Sequence, residues 1–300
     1  MSPVDGEKYL VRNPSIKETI GAKNIKELTY MSKGQVNQDT CHAFINWIYA
    51  VPDPNPCIYE HVHDYDQIIL NFGLEPKTPQ VLGADIEFYI GGQPINFNTS
   101  AGIFIPKGVK HGPVNWNKVD KPHIQIVVTI GTADAEKIYA NSGINEPKKE
   151  LPKKDKDFDY ETYVIRSPLR EVAVEVTNRQ MPTMTYMSGV HIPGANMYSE
   201  FGWIYDMPEP NPHVLAHGHE NFKELVFHIG SDPDNPEQLG AKMEIGVNGT
   251  PINVDTTNVF FYPEGVEHGP NVWKEVSKPH LEGTIMIGAG TFAEASPAGL

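Results

Sequence analysis

Arginine is scarce in this chain and cysteine nearly absent. The 300 residues hold two cysteines, Cys41 and Cys57. Two thiols could close one bridge at most, and a chain of this length can bury a sufficient core without it. Both therefore read as free thiols in a reducing compartment. Long apolar runs are also missing. No stretch approaches the ~20 apolar residues of a membrane span, and no basic segment followed by an apolar run opens the chain. These absences predict a soluble, cytoplasmic protein without membrane contact. Positive charge is in deficit as well: 24 Lys and Arg stand against 38 Asp and Glu, for a net charge of −14. Phosphate contacts need a basic face, so nucleic acid is excluded as a partner and a small molecule is expected instead. The one basic run, residues 148–156, is broken by Glu150, Pro152 and Asp155 and reads as a solvated linker.

Glycine and proline are plentiful, 26 of each, many in short clusters. Such punctuation favours many turns and short strands over long helices. Residues 14–18 could start a short helix with Ser15 in its first turn, and residues 132–139 could form another. The chain also carries a long internal repeat. Thr29-Tyr30-Met31-Ser32 returns as Thr185-Tyr186-Met187-Ser188, and Trp47-Ile48-Tyr49 returns as Trp203-Ile204-Tyr205, at an offset of 156. From about residue 67 the offset becomes 157: Leu82-Gly83-Ala84 matches Leu239-Gly240-Ala241, and His111-Gly112-Pro113 matches His268-Gly269-Pro270. The period far exceeds that of a solenoid unit, so it marks two copies of one domain. The boundaries expected are 1–144 for the first domain with an N-terminal arm, 145–168 for a charged linker and 169–300 for the second.

Each copy reads as β. Residues 86–90 followed by Gly91-Gly92, and residues 243–247 followed by Asn248-Gly249, are hairpin signals. Residues 102–105 and 259–262 are short apolar runs stopped by proline, as buried strands are.

The repeat carries its chemistry in two segments. In the second copy His217 and His219 share one strand face, Glu224 follows after four residues, and His268 comes after a Pro-Gly turn. Three imidazoles and one carboxylate suit a divalent transition metal (Fe, Mn, Ni, Cu or Zn) with one or two positions left open. The first copy offers His61, His63 and His111, and a one-residue deletion sets Gln67 opposite Glu224. A glutamine oxygen is a neutral, weaker ligand. The first site could be a three-histidine catalytic site, a weakly occupied one, or a relic. Asp64 and Asp66 read as solvated turn residues.

With these segments in view the chain resembles the cupin superfamily, and within it the bicupins. The family motifs are G(x)5HxH(x)3–4E(x)6G and G(x)5PxG(x)2H(x)3N. The match covers about residues 29–131 and 185–288. His217, His219, Glu224 and His268 fall on the family's metal ligands, as do His61, His63 and His111, with Gln67 at the glutamate position. Asn55 and Asn211 stand for the first motif's leading Gly. Ser100 and Thr257 stand for that of the second, and its closing Asn is Asn115 in one copy and Val272 in the other. The resemblance implies an all-β chain of two tandem six- to eight-stranded barrels with few short helices, each with a metal near its open end, and frequent homodimers. It does not give the reaction.

Arginine occurs at 12, 166, 170 and 179 only, outside both matched segments. An arginine fork is the usual clamp for carboxylates and phosphates, and Lys223, between ligands, reads as pointing away. The pocket residues expected are Trp203, Tyr205, Phe201, Met197 and His213 in the second copy, and Trp47, Tyr49, Phe44 and Cys57 in the first. They suggest a phenolic or 1,3-dicarbonyl substrate that meets the metal through oxygen. The function expected is a metal-dependent dioxygenase or hydrolase, with Glu224 as ligand and base and His123 and His280 either behind the ligands or in solvent. An isomerase or lyase and a non-enzymatic ligand-binding bicupin are the alternatives. The intact ligand set makes the C-terminal barrel the expected catalytic one.

Overall fold

The computed structural model describes residues 6–16, 21–140, 152–154, 158–168 and 175–295. Residues 145–151 and 155–157 of the expected linker, and Arg170, lie outside them. The chain divides into two compact units, Pro14–Pro168 and Met1–Asn13 with Leu169–Leu300.

Among the described residues of the first unit, a seven-stranded antiparallel sheet runs in the order Val164–Arg166, Ala101–Ile105, Asp66–Gly73, His123–Ile130, Cys41–Asp53, Lys23–Met31, Ser15–Ile16. A three-stranded sheet of Gln93–Thr99, Val81–Ile90 and His111–Val119 accompanies it. The core holds residues of both sheets, with Ile69 and Ile103 from the larger one and Ile86, Phe88 and Trp116 from the smaller. The second unit repeats the plan. Leu10–Val11, Asn258–Tyr262, Lys223–Gly230, His280–Ile287, Met197–Glu209 and Thr177–Arg179 follow one another, and Met184–Met187 also pairs with Met197–Glu209. Its small sheet is Thr250–Thr256, Gln238–Val247 and His268–Val276.

The sequence dictates this locally. Val81–Ile90 and Gln238–Val247 show the same alternation of buried and open positions, the period-2 mark of a half-buried strand. Each then turns in two residues, Ile90 pairing with Gln93 and Val247 with Thr250. Gly91, Gly92, Asn248 and Gly249 all have positive φ, which the hairpin turn of this hand requires. The runs ending at Ile105 and Tyr262 are buried throughout.

Four expectations need correction. Ser15–Ile16 is a strand, paired with Thr29 and Leu28, rather than the start of a helix. Sheet pairing satisfies those backbone groups where a single helical turn would bear the full nucleation cost. The helix expected at 132–139 begins later, as Ala135–Ala140, because Asp134 Oδ1 accepts from Glu136 N (3.0 Å) and caps it. The N-terminal arm does not belong with the first copy. Leu10 and Val11 pair with Phe260 and Val259 of the second unit and are buried there. Val164–Arg166, expected in the linker, instead completes the sheet of the first unit against residues 101–103.

The two arms form a further repeat. Glu7, Tyr9, Arg12 and Pro14 recur as Glu161, Tyr163, Arg166 and Pro168 at an offset of 154. Both arginines pair with their own glutamate and donate to matching carbonyls, Arg12 to Asn253 O and Arg166 to Asn96 O. Replacing Leu10 and Val11 together by alanine is expected to lower the stability of the second unit by about 3–5 kcal/mol, given the cost of truncating buried aliphatic side chains. Urea unfolding followed by tryptophan fluorescence measures it, and an unchanged midpoint would detach the arm from the fold.

Candidate metal centres

In each unit two backbone segments are stapled together next to the histidines. His217 N donates to His268 O (2.9 Å) and His268 N to His217 O (2.8 Å). His61 and His111 make the same exchange at 2.9 and 3.0 Å. The following residue has to be glycine. Gly269 and Gly112 have φ of +81° and +87°, and a Cβ there would lie 2.5 Å from Leu215 O or 2.4 Å from Tyr59 O. A second tie joins Gly265 N to His219 O and Gly108 N to His63 O. The His-x-His segment is thus fixed against the third histidine before any ion binds.

The donor atoms of His217, His219, Glu224 and His268 all lie within 4.8 Å of one another, and so do those of His61, His63 and His111. Backbone carbonyls settle the tautomers. The Nδ1 atoms of His61, His111, His217 and His268 each lie 2.8–3.0 Å from the carbonyl two residues back, and His63 Nδ1 is 2.6 Å from Tyr65 O. A carbonyl only accepts, so Nδ1 carries the proton and Nε2 presents its lone pair. The Nε2 atoms of His63 and His111 are buried without a hydrogen-bond partner, and that of His268 faces the Glu224 carboxylate. Lone pairs left bare at convergent positions are what a divalent cation completes, so both donor sets fit a metal.

The two sites differ in electrostatics. In the first, burial lowers the proton affinity of His63 and His111, and the neighbouring histidines lower that of His111 further. These rings are neutral at pH 7. In the second, Glu224 Oε2 lies 3.1 Å from His219 Nε2 and 2.8 Å from His268 Nε2, and Oε1 accepts from the Thr284 hydroxyl (2.6 Å). Burial alone would raise the Glu224 pKa, but His219 and His268 hold it well below the carboxylate range. For His268 the burial effect is outweighed by Glu224, and its pKa rises. A carboxylate so stabilised is a good ligand and a poor base.

Strand register arranges each interior in three rungs. In the first unit Gln67, Ile105 and Thr129 form the rung beside the histidines. Ile69, Ile103, Val127 and Phe44 form the next, and Asn71, Ala101, Gln125 and Asn46 the deepest. In the second unit these become Glu224, Tyr262 and Met286, then Val226, Phe260, Thr284 and Glu200, then His228, Asn258, Glu282 and Gly202. Gln67 therefore occupies the Glu224 position. The first unit has a cavity whose empty space, open solvent at its mouth included, is about 740 Å³. It runs from His61, His111 and Gln67 past apolar walls to Asn46, Asn71 and Gln125, with Glu27 beside them, and no Lys or Arg lines it. In the second unit the rings of Phe260 and Tyr262 replace Ile103 and Ile105. They stack at 5.4 Å, and Tyr262 also stacks on His268 at 4.1 Å.

The expected pocket residues divide by strand phase. Phe44 lines the cavity. Trp47 and Tyr49 do not, because odd positions of that strand face away from the Phe44–Asn46 side. Trp203 and Phe201 are likewise on the face opposite Gly202, and Tyr205 is exposed. Met197 is buried, and Cys57, a free thiol like Cys41, sits in the core with its pKa pushed up to about 12 by burial. His213 does reach the interior, where its Nε2 lies 3.0 Å from Glu282 Oε2. Asp64 pairs with Lys137 on the surface, and Lys223 lies 3.8 Å from Glu264.

Four participants were not singled out from sequence: Thr284, Tyr262, the amides of the deepest first-unit rung, and Arg179, whose Nε lies 3.4 Å from Glu282 Oε2. Counting two residues at a time from Gln67 would have found Asn71, a polar residue at an inward position of an apolar strand.

His123 and His280 are neither solvent-exposed nor beside the ligands. Both are fully buried, and their Nε2 atoms accept from Trp116 and Trp273 Nε1 at 3.3 and 2.9 Å.

Comparison with known proteins agrees with this architecture. No family model and no curated protein sequence matches the chain. Solved structures do. AerE from Microcystis aeruginosa is 13% identical with a TM-score of 0.55, covering 93% of this chain and 99% of its own. Bacillus subtilis oxalate decarboxylase at pH 4.6 is 12% identical with a TM-score of 0.54, covering 93% and 75%. The fold is that of a bicupin. Another structure of that decarboxylase, 12% identical at a TM-score of 0.52 over 89% and 74% of the two chains, concerns its Mn(II) centres. At such identities the bicupin likeness establishes architecture alone.

Two predictions follow from the buried charges. His123 and His280 have pKa values lowered to about 4 by burial. They stay neutral when folded and take a proton near pH 6.5 when unfolded. Their contribution is therefore complete above pH 6.5 and is lost as pH falls towards 4, roughly 2 kcal/mol each by pH 5. The double variant His123→Gln, His280→Gln should flatten this dependence in urea titrations, and an unchanged slope would contradict the assignment. Arg179→Met should cost about 3–5 kcal/mol by stranding the buried Glu282 carboxylate, whereas adding Glu282→Gln, the residue the first unit carries as Gln125, should recover most of it. No recovery in the double variant would refute the charge-pair account.

Proposed function

We propose that this bicupin is a metal-dependent enzyme whose substrate site is the cavity of the first unit. The substrate is a small, neutral, oxygenated molecule, phenolic or 1,3-dicarbonyl, and the reaction is oxidative cleavage of the dioxygenase type. One observation carries the reading. His61 and His111 of the three-histidine cluster lie at one end of a mostly apolar cavity that no Lys or Arg lines. Beyond the metal itself a dicarboxylate such as oxalate would find no cation for its second charge there, and Glu27 would oppose it. This choice departs from the C-terminal barrel favoured by ligand count, because Phe260 and Tyr262 pack the corresponding rungs.

A divalent ion bound by His61, His63 and His111 would supply Lewis acidity and, if redox-active, a route for dioxygen chemistry. The protein's own contribution is positional. Carbonyl contacts aim the three rings, the staple holds His61 against His111, and Phe44, Ile69 and Val127 exclude water from the substrate body. Gln67 can accept a hydrogen bond or ligate but cannot take a proton at neutral pH, so acid–base work at this site falls to the substrate or solvent. The second unit, with its carboxylate, supports a tightly held metal. The Mn(II) of the distant decarboxylase makes manganese one ion to test beside iron, nickel and zinc. Two buried free thiols support a cytoplasmic setting.

Mass spectrometry of the purified protein should find bound transition metal. His61→Ala should abolish oxygen consumption with catechols, flavonols or diketones while retaining the second unit's metal. Turnover that survives His61→Ala but is lost in His217→Ala would move the substrate site to the second unit. Turnover without oxygen would exclude the dioxygenase reaction, and absence of any metal would end the enzyme reading.

A further inference from the structure

The far end of the first-unit cavity has a chemistry of its own. Asn46 Nδ2 donates to Gln125 Oε1 (3.3 Å), and Gln125 Nε2 donates to Asn71 Oδ1 (3.1 Å). The three amides are 2%, 5% and 0% exposed for Asn46, Gln125 and Asn71. The chain of hydrogen bonds stops at both ends: Asn46 Oδ1 and Asn71 Nδ2 are buried without partners, in residues that line the cavity. One end is an acceptor and the other a donor. Turning all three amides over preserves both internal bonds and merely exchanges the ends, so the cavity floor always offers one of each. A buried polar atom left unpaired is destabilising, and water or a ligand group is what ordinarily satisfies it.

The second unit shows the alternative. There the same rung carries His228 and Glu282, and the Glu282 carboxylate is met by His213 and Arg179. That floor is charged: one Glu282 oxygen is met by His213 and Arg179, while Glu282 Oε1 and His228 Nε2 remain without partners. The first unit's floor is uncharged at its amides and incomplete.

We propose that the amide rung Asn46–Gln125–Asn71 is a second recognition point, so that the cavity selects a ligand with polar groups at both ends. One end carries the oxygen donors directed at the histidines. The body is apolar and of single-ring size. The other end carries a neutral hydroxyl, which can donate to Asn46 Oδ1 or accept from Asn71 Nδ2. The span fits such a molecule: Gln67 and Asn71 are four residues apart on one strand, roughly 13 Å along the backbone before side chains fill part of it. Glu27, beside the amides, disfavours a carboxylate at that end. The inference rests on the cavity being the substrate site and adds what the substrate carries at its distal end.

Calorimetric titration of the metal-containing protein without oxygen, using 4-methylcatechol and 4-(hydroxymethyl)catechol, tests it. The hydroxymethyl compound should bind about five- to tenfold more tightly, as one or two neutral hydrogen bonds imply. At least one of Asn71→Leu and Asn46→Leu should reduce that preference to near unity while leaving 4-methylcatechol binding in place. Equal binding of the two compounds by the wild-type protein overturns the inference and leaves the catalytic reading standing. A preference that survives both substitutions also overturns it. Failure of the wild-type protein to bind either compound removes the cavity reading and this inference together. The wild-type comparison decides the matter even if a variant does not fold.

Discussion

The reciprocal backbone bond between the His-x-His segment and the third histidine is the constraint on which both sites depend. Two hydrogen bonds near 2.9 Å join His217 to His268, and a matching pair joins His61 to His111. Imidazoles on separate segments of chain meet because their own peptide groups are paired. The arrangement brings the strand so close to the facing carbonyl that only glycine fits after the histidine. Proline and glycine in the turn before the histidine, and the carbonyls that fix each Nδ1, then follow from the same local geometry. The ligand geometry is built into the backbone, which is how one fold can hold metal in both copies while the rest of each interior changes.

What changes is the set of side chains on the rungs below. Gln67 for Glu224 alters the charge at the histidines. Ile103 and Ile105 for Phe260 and Tyr262 decide whether the next layer is open or filled. Asn71 and Gln125 for His228 and Glu282 decide whether the deepest layer is neutral or ionic. The ionic version demands further partners, because a carboxylate buried as deeply as Glu282 is tolerable only with compensating charge. Arg179 and His213 supply it. The first unit has Lys23 and Cys57 at the corresponding positions, where Lys23 pairs with Asp53 at the surface and the thiol is packed in the core. Neutral floor and absent counter-charges belong together.

Much of this was legible in the sequence, for identifiable reasons. The repeat at 156 and 157 residues, the Asn-Gly hairpin and the ligand spacings are short-range patterns, and each maps directly to a local geometry. The arms escaped because their partners lie some 250 and 60 residues away. Nothing near Leu10 says that Phe260 will be beside it, although Glu-x-Tyr recurring before Arg and Pro would have revealed a second repeat. Phe44 and His213 do face an interior, but Trp47, Tyr49, Phe201 and Trp203 were misjudged through strand phase. Trp47 is large and aromatic, but one step of a strand reverses its facing, and Asn46 rather than Trp47 points inward. His123 and His280 were misjudged because a histidine at a strand end gives no sign of the tryptophan that will cover it.

The unpaired amides carry the remaining argument. A protein interior gains nothing from a buried donor and a buried acceptor left without partners, and each costs on the order of 1–3 kcal/mol relative to a satisfied or apolar counterpart. Leucine at Asn71 or Asn46 would extend the apolar wall that Ile69 and Phe44 already form. The second unit places ions in its deepest layer and fills its middle layer with rings. The first unit has a neutral deepest layer and an open middle one, within the same cavity whose other end bears imidazole nitrogens. Local rules of packing are set aside where a fold must leave room and polarity for something else. In this chain two such departures face each other across one apolar space.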